Sequence, residues 1–266
     1  GPGQPPSAGP AGAAGTTAPD RFDLRVAETA GVARRDAVAT QGLPFPAGVL
    51  REVTAIRLAD SRGTPVPCQA APLATWPDGS IKVAVVSFPV SVDAGAAVTY
   101  HASLGEAAAP SVPRPLSVTE QGDEITIDTG AIVATVSRTQ GRLVESVRRA
   151  DGRELKSPTQ VWDLVLEDES GRVVRSGGPT VATVDYADRG PLRLLLVRCG
   201  SFADPAGKLV DYRLQLEATA GADALRLESI IVNREAAPEV YLRRWSMEFA
   251  GLDLERGRVW LADDRA

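Results

Sequence analysis

The stretch Thr75–Phe88 reads TWPDGSIKVAVVSF, and it decides the fold. Pro77 presets φ for the second position of a β-turn, and the Asp-Gly pair after it suits the next two positions. From Ile81 onward the residues alternate, and both faces are apolar by Val86, which is typical of a strand buried on both sides toward its far end. The stretch therefore predicts a tight turn leading into a long buried strand.

Two side chains beside this turn have both a functional and a structural interpretation. Trp76 is either a platform on which a sugar ring stacks or a hydrophobic plug over the end of a barrel. Lys82 follows the turn on the wetter face of the strand, which favours a structural role over a catalytic one. The turn itself does not separate these interpretations.

Composition and charge exclude several classes of protein. The chain has 266 residues, of which 44% are hydrophobic and 24% charged, as in ordinary soluble globular proteins. The net charge is −5, and no basic stripe is interleaved with aromatics, which argues against a nucleic-acid partner. No run approaches the roughly 18 to 20 apolar residues of a membrane span.

The chemistry open to the chain is limited by its few histidines and cysteines. His101 is the sole histidine, so no multi-histidine metal site can form. Cys68 and Cys199 are too far apart for CxxC-type spacing and are either one disulfide or two unrelated thiols. No cofactor motif is present, and motifs of hydrolases, NTPases and dinucleotide-binding enzymes are absent. Calcium stays open, although no spacing favours it among the candidate carboxylates Asp163, Asp168 and Asp185.

Composition shifts predict four segments. Residues 1–20 are rich in Gly, Pro and Ala and are expected to be disordered, without the regions of an intact signal peptide. Residues 21–104 carry short, evenly spaced strands, as in a small β-barrel. Residues 105–115, GEAAAPSVPRP, have the composition of a linker. Residues 116–266 carry longer strands with one wet face, typical of a large antiparallel β-sandwich, and end without a natural terminal element.

Four local patterns give definite expectations. The prolines of Gln41–Pro46 predict an extended loop rather than a paired strand. Asp211–Ala218 alternates cleanly between one polar and one apolar face. Val240–Phe249 is predicted to be a strand with its aromatics, Met247 and Arg243 on one face. Asp188 and Arg189 are expected at a solvated hairpin tip.

Several consecutive runs together resemble one known family. GLPFPAGVL, TWPDGSIKVAVVSF and AGAAVTY resemble the N-terminal barrel of the exo-rhamnogalacturonan lyase-like family, which includes fungal exo-rhamnogalacturonan lyase and YetA-like proteins. The later runs, such as TGAIVATVSR, RGPLRLLLVRCGSF and YLRRWSMEF, are similar to its central β-sandwich. The resemblance implies a RIFT-type barrel, then a super-sandwich, then an α/α-toroid. This sequence lacks the toroid, which would supply half of the substrate groove.

The implied reaction directs attention to a few residues. β-Elimination at a uronate needs a cation for the carboxylate, a base for the adjacent proton and an acid for the leaving oxygen. The catalytic candidates are His101 and Arg243, against the alternatives of an edge histidine and of an arginine stacked in a core. The candidates for substrate binding are Asn233, Arg234, Tyr241, Arg243, Trp245 and Trp76.

Three functions stay open at this stage. The chain is the β-domain portion of a polysaccharide lyase-like protein that degrades pectic rhamnogalacturonan or a related acidic glycan and is inactive without a helical toroid. Alternatively, it is a non-catalytic carbohydrate-binding or cell-surface module, or a structural scaffold. The expected partner is an acidic polysaccharide or oligosaccharide. The expected location is extracellular, cell-surface or periplasmic, with the signal peptide absent from this sequence.

Overall fold

The computed structural model describes residues 21–106, 108–233 and 240–251. Within them the chain forms one 3₁₀ turn, Val53–Ala55, and β-strands throughout, which confirms the prediction of an all-β protein. The predicted tail, residues 1–20, and the end of the predicted sandwich after residue 251 lie outside this part. The strands are β1 (Phe22–Ala27), β2 (Arg34–Pro44), β3 (Ile56–Asp60), β4 (Pro65–Val66), β5 (Gln69–Thr75), β6 (Ile81–Val92), β7 (Ala97–Leu104), β8 (Ser117–Gln121), β9 (Glu124–Asp128), β10 (Ile132–Ser137), β11 (Ser146–Arg149), β12 (Glu154–Lys156), β13 (Trp162–Asp168), β14 (Val173–Arg175), β15 (Val181–Arg189), β16 (Arg193–Asp204), β17 (Gly207–Thr219), β18 (Arg226–Val232) and β19 (Leu242–Phe249).

The first seven strands form the predicted barrel. They make two antiparallel sheets, in the orders β1-β7-β3-β4 and β2-β6-β5, around one apolar core. The opening stretch supplies the central strand β6, whose even-numbered residues from Ala84 to Val92 are buried. Of the opposite face only Ile81 and Ser87 are buried, so burial on both sides is less complete than the sequence predicts.

The turn before β6 has the predicted geometry. The Gly79 N–H donates to the Trp76 carbonyl at 2.9 Å, and the Trp76 N–H donates to the Ser80 carbonyl at 2.7 Å. Pro77 therefore occupies the second position of the turn, and Gly79 takes a left-handed φ of 80°. The Asp78 carboxylate accepts from the Ser80 N–H and hydroxyl at 3.0 and 2.5 Å. These bonds, with the Ser80 hydroxyl first, lower the pKa of Asp78.

The predicted loop at Gln41–Pro46 is wrong for residues 41–44, because β2 continues to Pro44 and pairs with β6, whereas Phe45 and Pro46 lie outside the strand. The N–H of Phe45 donates to the Lys82 carbonyl at 2.8 Å, so the neighbouring Pro44 nitrogen points away from β6. Since β2 is an edge strand, the missing proline N–H lies at the open edge, where no ladder bond is lost.

The later strands form the predicted sandwich. A sheet in the order β12-β11-β10-β9-β8 packs on a sheet in the order β15-β16-β17-β18. Their inner faces meet in a common core that includes Ile125, Ile127, Leu194, Leu196 and Leu216. The alternation predicted for Asp211–Ala218 is confirmed, since its tyrosine, leucine and alanine residues are buried. A third sheet, β14-β13-β19, covers the other end of this region.

One buried side chain joins the barrel to the sandwich. The Gln69 amide donates to the Asp188 carboxylate at 2.6 Å and to the Arg193 carbonyl at 2.8 Å. Its oxygen accepts from the N–H groups of Leu192 and Arg193 at 2.8 and 2.9 Å. Asp188 is therefore buried at this junction, and the prediction of a solvated hairpin tip is wrong for it. Arg189 is exposed and pairs with Glu120 at 2.6 Å.

No helix in the described residues is long and apolar enough to cross a membrane.

Candidate functional site

The two candidate residues beside the first turn are held by barrel contacts. The Trp76 indole N–H donates to the Phe45 carbonyl at 2.9 Å, and the ring is half-buried. The Lys82 ammonium lies over this ring, 4.7 Å from its centroid. One ring face is thus already covered by a cation. Sugar stacking on Trp76 stays a prediction, limited to the other face.

His101 lies on barrel strand β7, opposite Asp23 of β1. Its Nδ1 is 2.8 Å from the Asp23 carboxylate, and this hydrogen bond is the main reason that the pKa of Asp23 is lowered. Arg243 belongs to strand β19 of the third sheet, so the fold places the two catalytic candidates on separate sheets. A shared catalytic role would therefore require substrate to reach both sheets.

Strand β19 is an edge strand whose aromatic side chains are exposed. Trp245 is 45% exposed and Tyr241, just before the strand, is 59% exposed. Asn233 lies at an exposed position just after β18. Arg234 lies outside the described residues. The alternative that Trp245 belongs to a closed inter-sheet core does not match this exposure.

A bulge changes the direction of Arg243. Glu167 pairs with Arg244 and Asp168 with Leu242, which leaves Arg243 as an extra residue in β19. The Arg243 guanidinium lies 3.3 Å from the Glu167 carboxylate, and that of Arg244 lies 3.5 Å from it. Both arginines therefore bind one carboxylate, and the expected alternation of Val240–Phe249 is interrupted at Arg243.

The same sheet face continues as a track of charged side chains. Arg244 also approaches Glu248 at 3.3 Å, and Glu248 accepts from Arg175 of β14 at 2.8 Å. The Arg243 side chain is 63% exposed and that of Arg175 is 51% exposed. Planar guanidinium groups bind carboxylates in a bidentate manner, so this track offers exposed cations for an anionic ligand.

The track ends at a buried carboxyl group. Asp163, paired with Glu248 across the strands, is 3% exposed, and its Oδ1 has no hydrogen-bond partner in the described part of the chain. Burial raises the pKa of the Asp163 carboxyl, which Arg142 and Arg175 oppose. Gly177 allows this packing, because a Cβ there would lie 2.5 Å from the Asp163 Oδ1.

Arg142 and Glu145 lie next to this carboxyl group and form an ion pair at 3.1 Å. Each also has a buried atom without a partner among the described residues, Nε in Arg142 and Oε1 in Glu145. Both side chains line an open pocket of about 390 Å³ together with Asp123, Ser137 and Gln140. Buried polar atoms normally have partners, so their grouping here marks the place as unusual.

Lys156 is the other charged group near this place, and its bonding argues for a structural role. Its ammonium is fully buried and donates to the carbonyls of Glu145, Ser157 and Gln160 at 2.6, 3.0 and 2.7 Å. Desolvation lowers the pKa of Lys156. All three of its protons are donated to backbone carbonyls, which holds the ammonium in place.

Sequence reasoning missed most of this track. It named Asp163 only as a calcium candidate and did not name Arg142, Glu145, Arg175 or Glu248. The signal that could have found part of it is the alternation of Trp162–Asp168, which puts Asp163 and Glu167 on one face.

The calcium candidates do not converge. Asp163 and Asp168 stand at opposite ends of β13, Asp185 lies on β15, and Asp168 accepts bonds within its own turn. The described residues contain no grouping of three histidine, cysteine or acidic side chains suited to a metal ion. Cys68 and Cys199 are both free thiols.

Sequence comparison identifies the first domain. Residues 23–103 match the family described as the PcRGLX-like N-terminal RIFT barrel domain. The uncharacterized protein YetA of Bacillus subtilis (strain 168) is 30% identical over 112 residues, which are 41% of this chain and 12% of YetA.

Two solved structures share the fold over a wider region. One is a protein in the glycosyl hydrolase family 38 from Enterococcus faecalis, with a TM-score of 0.50 and 11% identity over 80% of this chain and 31% of that chain. The other is an alpha-mannosidase from Enterococcus faecalis V583, with a TM-score of 0.51 and 12% identity over 80% of this chain and 30% of that chain. Identities this low show a common fold alone. Residues 23–103 are thus similar to the N-terminal RIFT barrel domain of a rhamnogalacturonan lyase-like family.

Proposed function

We propose that this chain is the β-domain portion of a polysaccharide lyase-like protein that acts on rhamnogalacturonan or a related acidic glycan by β-elimination. The observation that carries the proposal is the match of residues 23–103 to the PcRGLX-like N-terminal RIFT barrel domain. The chain spans 12% of YetA and 30% of the alpha-mannosidase, so the activity of a whole protein is part of the proposal.

The third sheet supplies the groups that such a substrate needs for binding. Arg175, Arg243 and Arg244 are partly exposed cations that suit a uronate carboxylate. Trp245, on the other face of β19, and Tyr241, just before the strand, present exposed rings, and sugar rings stack on such surfaces through their C–H faces. We assign the chain a substrate-holding role and expect groups from a helical toroid to complete the acid and base.

A second candidate function is that of a non-catalytic carbohydrate-binding module. The exposure of Tyr241 and Trp245 on an edge strand favours it, because binding needs only this surface. Either function suits an extracellular or cell-surface setting, where pectic glycans are found.

An absorbance assay for unsaturated uronate on rhamnogalacturonan oligosaccharides tests the reaction. We expect product from a longer form of the same reading frame that carries the helical region, and glycan binding without product from the 266-residue chain. Binding by both forms without product would favour the module. If neither form binds the oligosaccharides, both functions are wrong and a scaffold role is favoured.

Trp245→Ala tests the location of the site. We expect weaker oligosaccharide binding, by about tenfold, with an unchanged circular dichroism spectrum, since the loss of a stacked ring costs about 1–3 kcal/mol. Leu73→Ala is the matched control, because Leu73 is an exposed apolar residue of the barrel at 69% exposure. Unfolding of the Trp245 variant would show that the ring is core, and unchanged binding would remove β19 from the site.

A further inference from the structure

A separate cleft lies where the barrel meets the sandwich. It has a volume of about 490 Å³ and lies beside the Gln69 junction. Clefts between domains are frequent positions of small-molecule sites. Its apolar walls are formed by Val38, Pro67, Pro89, Val112, Pro113 and Leu192.

Hydrogen bonds hold the walls of this cleft in place. The Leu192 N–H donates to the Gln69 side chain at 2.8 Å, and the Leu192 carbonyl accepts from the Ala220 N–H at 2.9 Å. The segment that carries Val112 and Pro113 is fixed at its end by the Leu116 N–H, which donates to the Pro191 carbonyl at 2.7 Å. Since the walls are fixed before a ligand arrives, binding costs little ordering of the protein.

A bulge in β2 presents two charged side chains to the cleft. Arg35 and Asp36 stand opposite Ser91 alone in the pairing of β2 with β6. Asp36 has a φ of 52°, in the left-handed region that residues other than glycine rarely adopt. Its N–H donates to the Ser91 hydroxyl at 3.1 Å, which fixes the bulge. Bulges of this kind redirect side chains and are common next to binding sites.

The charges that line the cleft favour an anion. Two arginines, Arg35 and Arg114, and one acidic residue, Asp36, line the cleft. Arg35 is already bound to Asp93 and to the Val92 carbonyl. Arg114 is exposed and has no hydrogen bond or ion pair to any residue that the structure describes. An incoming carboxylate would therefore find an available guanidinium group.

We propose that this cleft binds a single hexuronate unit, with its carboxylate on Arg114 and its ring against the proline and valine side chains. The ligand class rests on the proposed function, whereas the site is distinct from the third sheet and needs no elimination chemistry. The fixed apolar walls suit the C–H face of a pyranose, and Arg114 selects the acidic sugar over a neutral one.

Amide-resolved NMR titration with galacturonic acid, and with galactose as the neutral counterpart, tests the site. We expect galacturonate to shift the amide signals of Val112, Arg114, Leu192 and Gly221, and galactose to shift none of them. Arg114→Ala should weaken galacturonate binding by about tenfold or more, because a hydrogen bond to a charged group is lost. Arg62→Ala is the matched control, since Arg62 is an exposed arginine in the turn between β3 and β4.

Two results of the titration of the parent protein would contradict the proposed site. One is a set of shifts confined to β19, and the other is an equal response to galactose and galacturonate. An Arg114 variant that keeps the spectrum of the parent protein and its full affinity would also reject it. The elimination assay fails or succeeds independently, because galacturonate binding to the cleft is measured without a scissile bond.

Discussion

Asp163 has a buried carboxyl group with one oxygen that has no hydrogen-bond partner in the described structure. Its carboxyl has a raised pKa because it is buried, and Oδ1 has no partner there. A raised pKa means that the folded state holds the proton more tightly than the unfolded state. The contribution of this carboxyl to the free energy of unfolding is therefore fully present below its pKa in the unfolded chain. It is lost as pH rises through its pKa in the folded protein. Asp163→Asn removes this dependence, so we expect the variant to gain stability over the parent as pH rises from about 3 to 7.

Urea unfolding at several pH values measures this change, and Asp168→Asn is the control with the opposite sign. The pKa of Asp168 is lowered, first by the Ser170 hydroxyl bond, so its stabilisation is present at neutral pH and is lost as pH falls. At neutral pH the free energy of unfolding should therefore be higher than the parent value for Asp163→Asn and lower for Asp168→Asn. Parallel pH profiles for Asp163→Asn and the parent protein would contradict a raised pKa for the buried carboxyl.

Individual residues also show where sequence reasoning stopped. Arg198 lies in an apolar run of β16, yet its guanidinium is 1% exposed and binds the carbonyls of residues 137, 140, 142 and 143 at 2.7–3.3 Å. Burial lowers the pKa of Arg198 to about 10, so it stays charged at neutral pH. Nothing local in the sequence indicates that a distant loop supplies these four oxygens. The same holds for Asp163, whose environment comes from three separate segments.

Among the elements, the Trp76–Ser80 turn is the one whose sequence most fully determines its geometry. Gly79 has a φ of 80°, and a Cβ there would meet no atom within 4 Å. Gly79→Ala therefore adds backbone strain without a clash, and we expect the free energy of unfolding to fall by about 1–2 kcal/mol. Chemical denaturation measures the change.

Gly178→Ala is the matched control for this turn. A Cβ at Gly178 also meets no atom within 4 Å, but its φ lies outside the left-handed region, so the unfolding free energy should stay within about 0.5 kcal/mol of the parent value. The unfolding free energy of Gly79→Asn should lie between those of Gly79→Ala and Gly178→Ala, because asparagine tolerates the left-handed conformation better than alanine. Equal stabilities for the Gly79 and Gly178 alanine variants would contradict a strained turn.

Elements differ in how far sequence predicts them. The hairpin before β6 and the alternation of Asp211–Ala218 are local properties, and both were predictable from residue type and spacing. Pro44 was misjudged because its effect depends on which edge of β2 faces a neighbour. The bulge at Arg243 likewise arises from pairing with β13 and leaves no mark in the sequence of β19.

At the scale of the whole molecule, the Gln69 side chain links the barrel to the sandwich. It uses both amide protons as donors and both acceptor positions of its oxygen in bonds to the sandwich. Gly190 accommodates it, since a Cβ there would lie 2.4 Å from the Gln69 amide carbon. Gln69→Ala would leave the Leu192 N–H, the Arg193 N–H and one Asp188 oxygen without this partner, at a cost of about 1–3 kcal/mol for each buried group.

We expect the parent protein to unfold in one cooperative transition and Gln69→Ala to unfold in two, with the barrel and the sandwich separated. Differential scanning calorimetry distinguishes the cases, and the fluorescence of Trp76 and Trp162 follows the two regions in single-tryptophan backgrounds. Gln41→Ala is the control, because the exposed Gln41 side chain bonds only its neighbour Gly42 at 3.3 Å. A single transition at an unchanged midpoint for Gln69→Ala would show that apolar contacts alone couple the domains. In Gln69→Ala the Leu192 N–H loses its bond to this side chain, so galacturonate binding by the variant tests how far the wall of the interdomain cleft is preorganised.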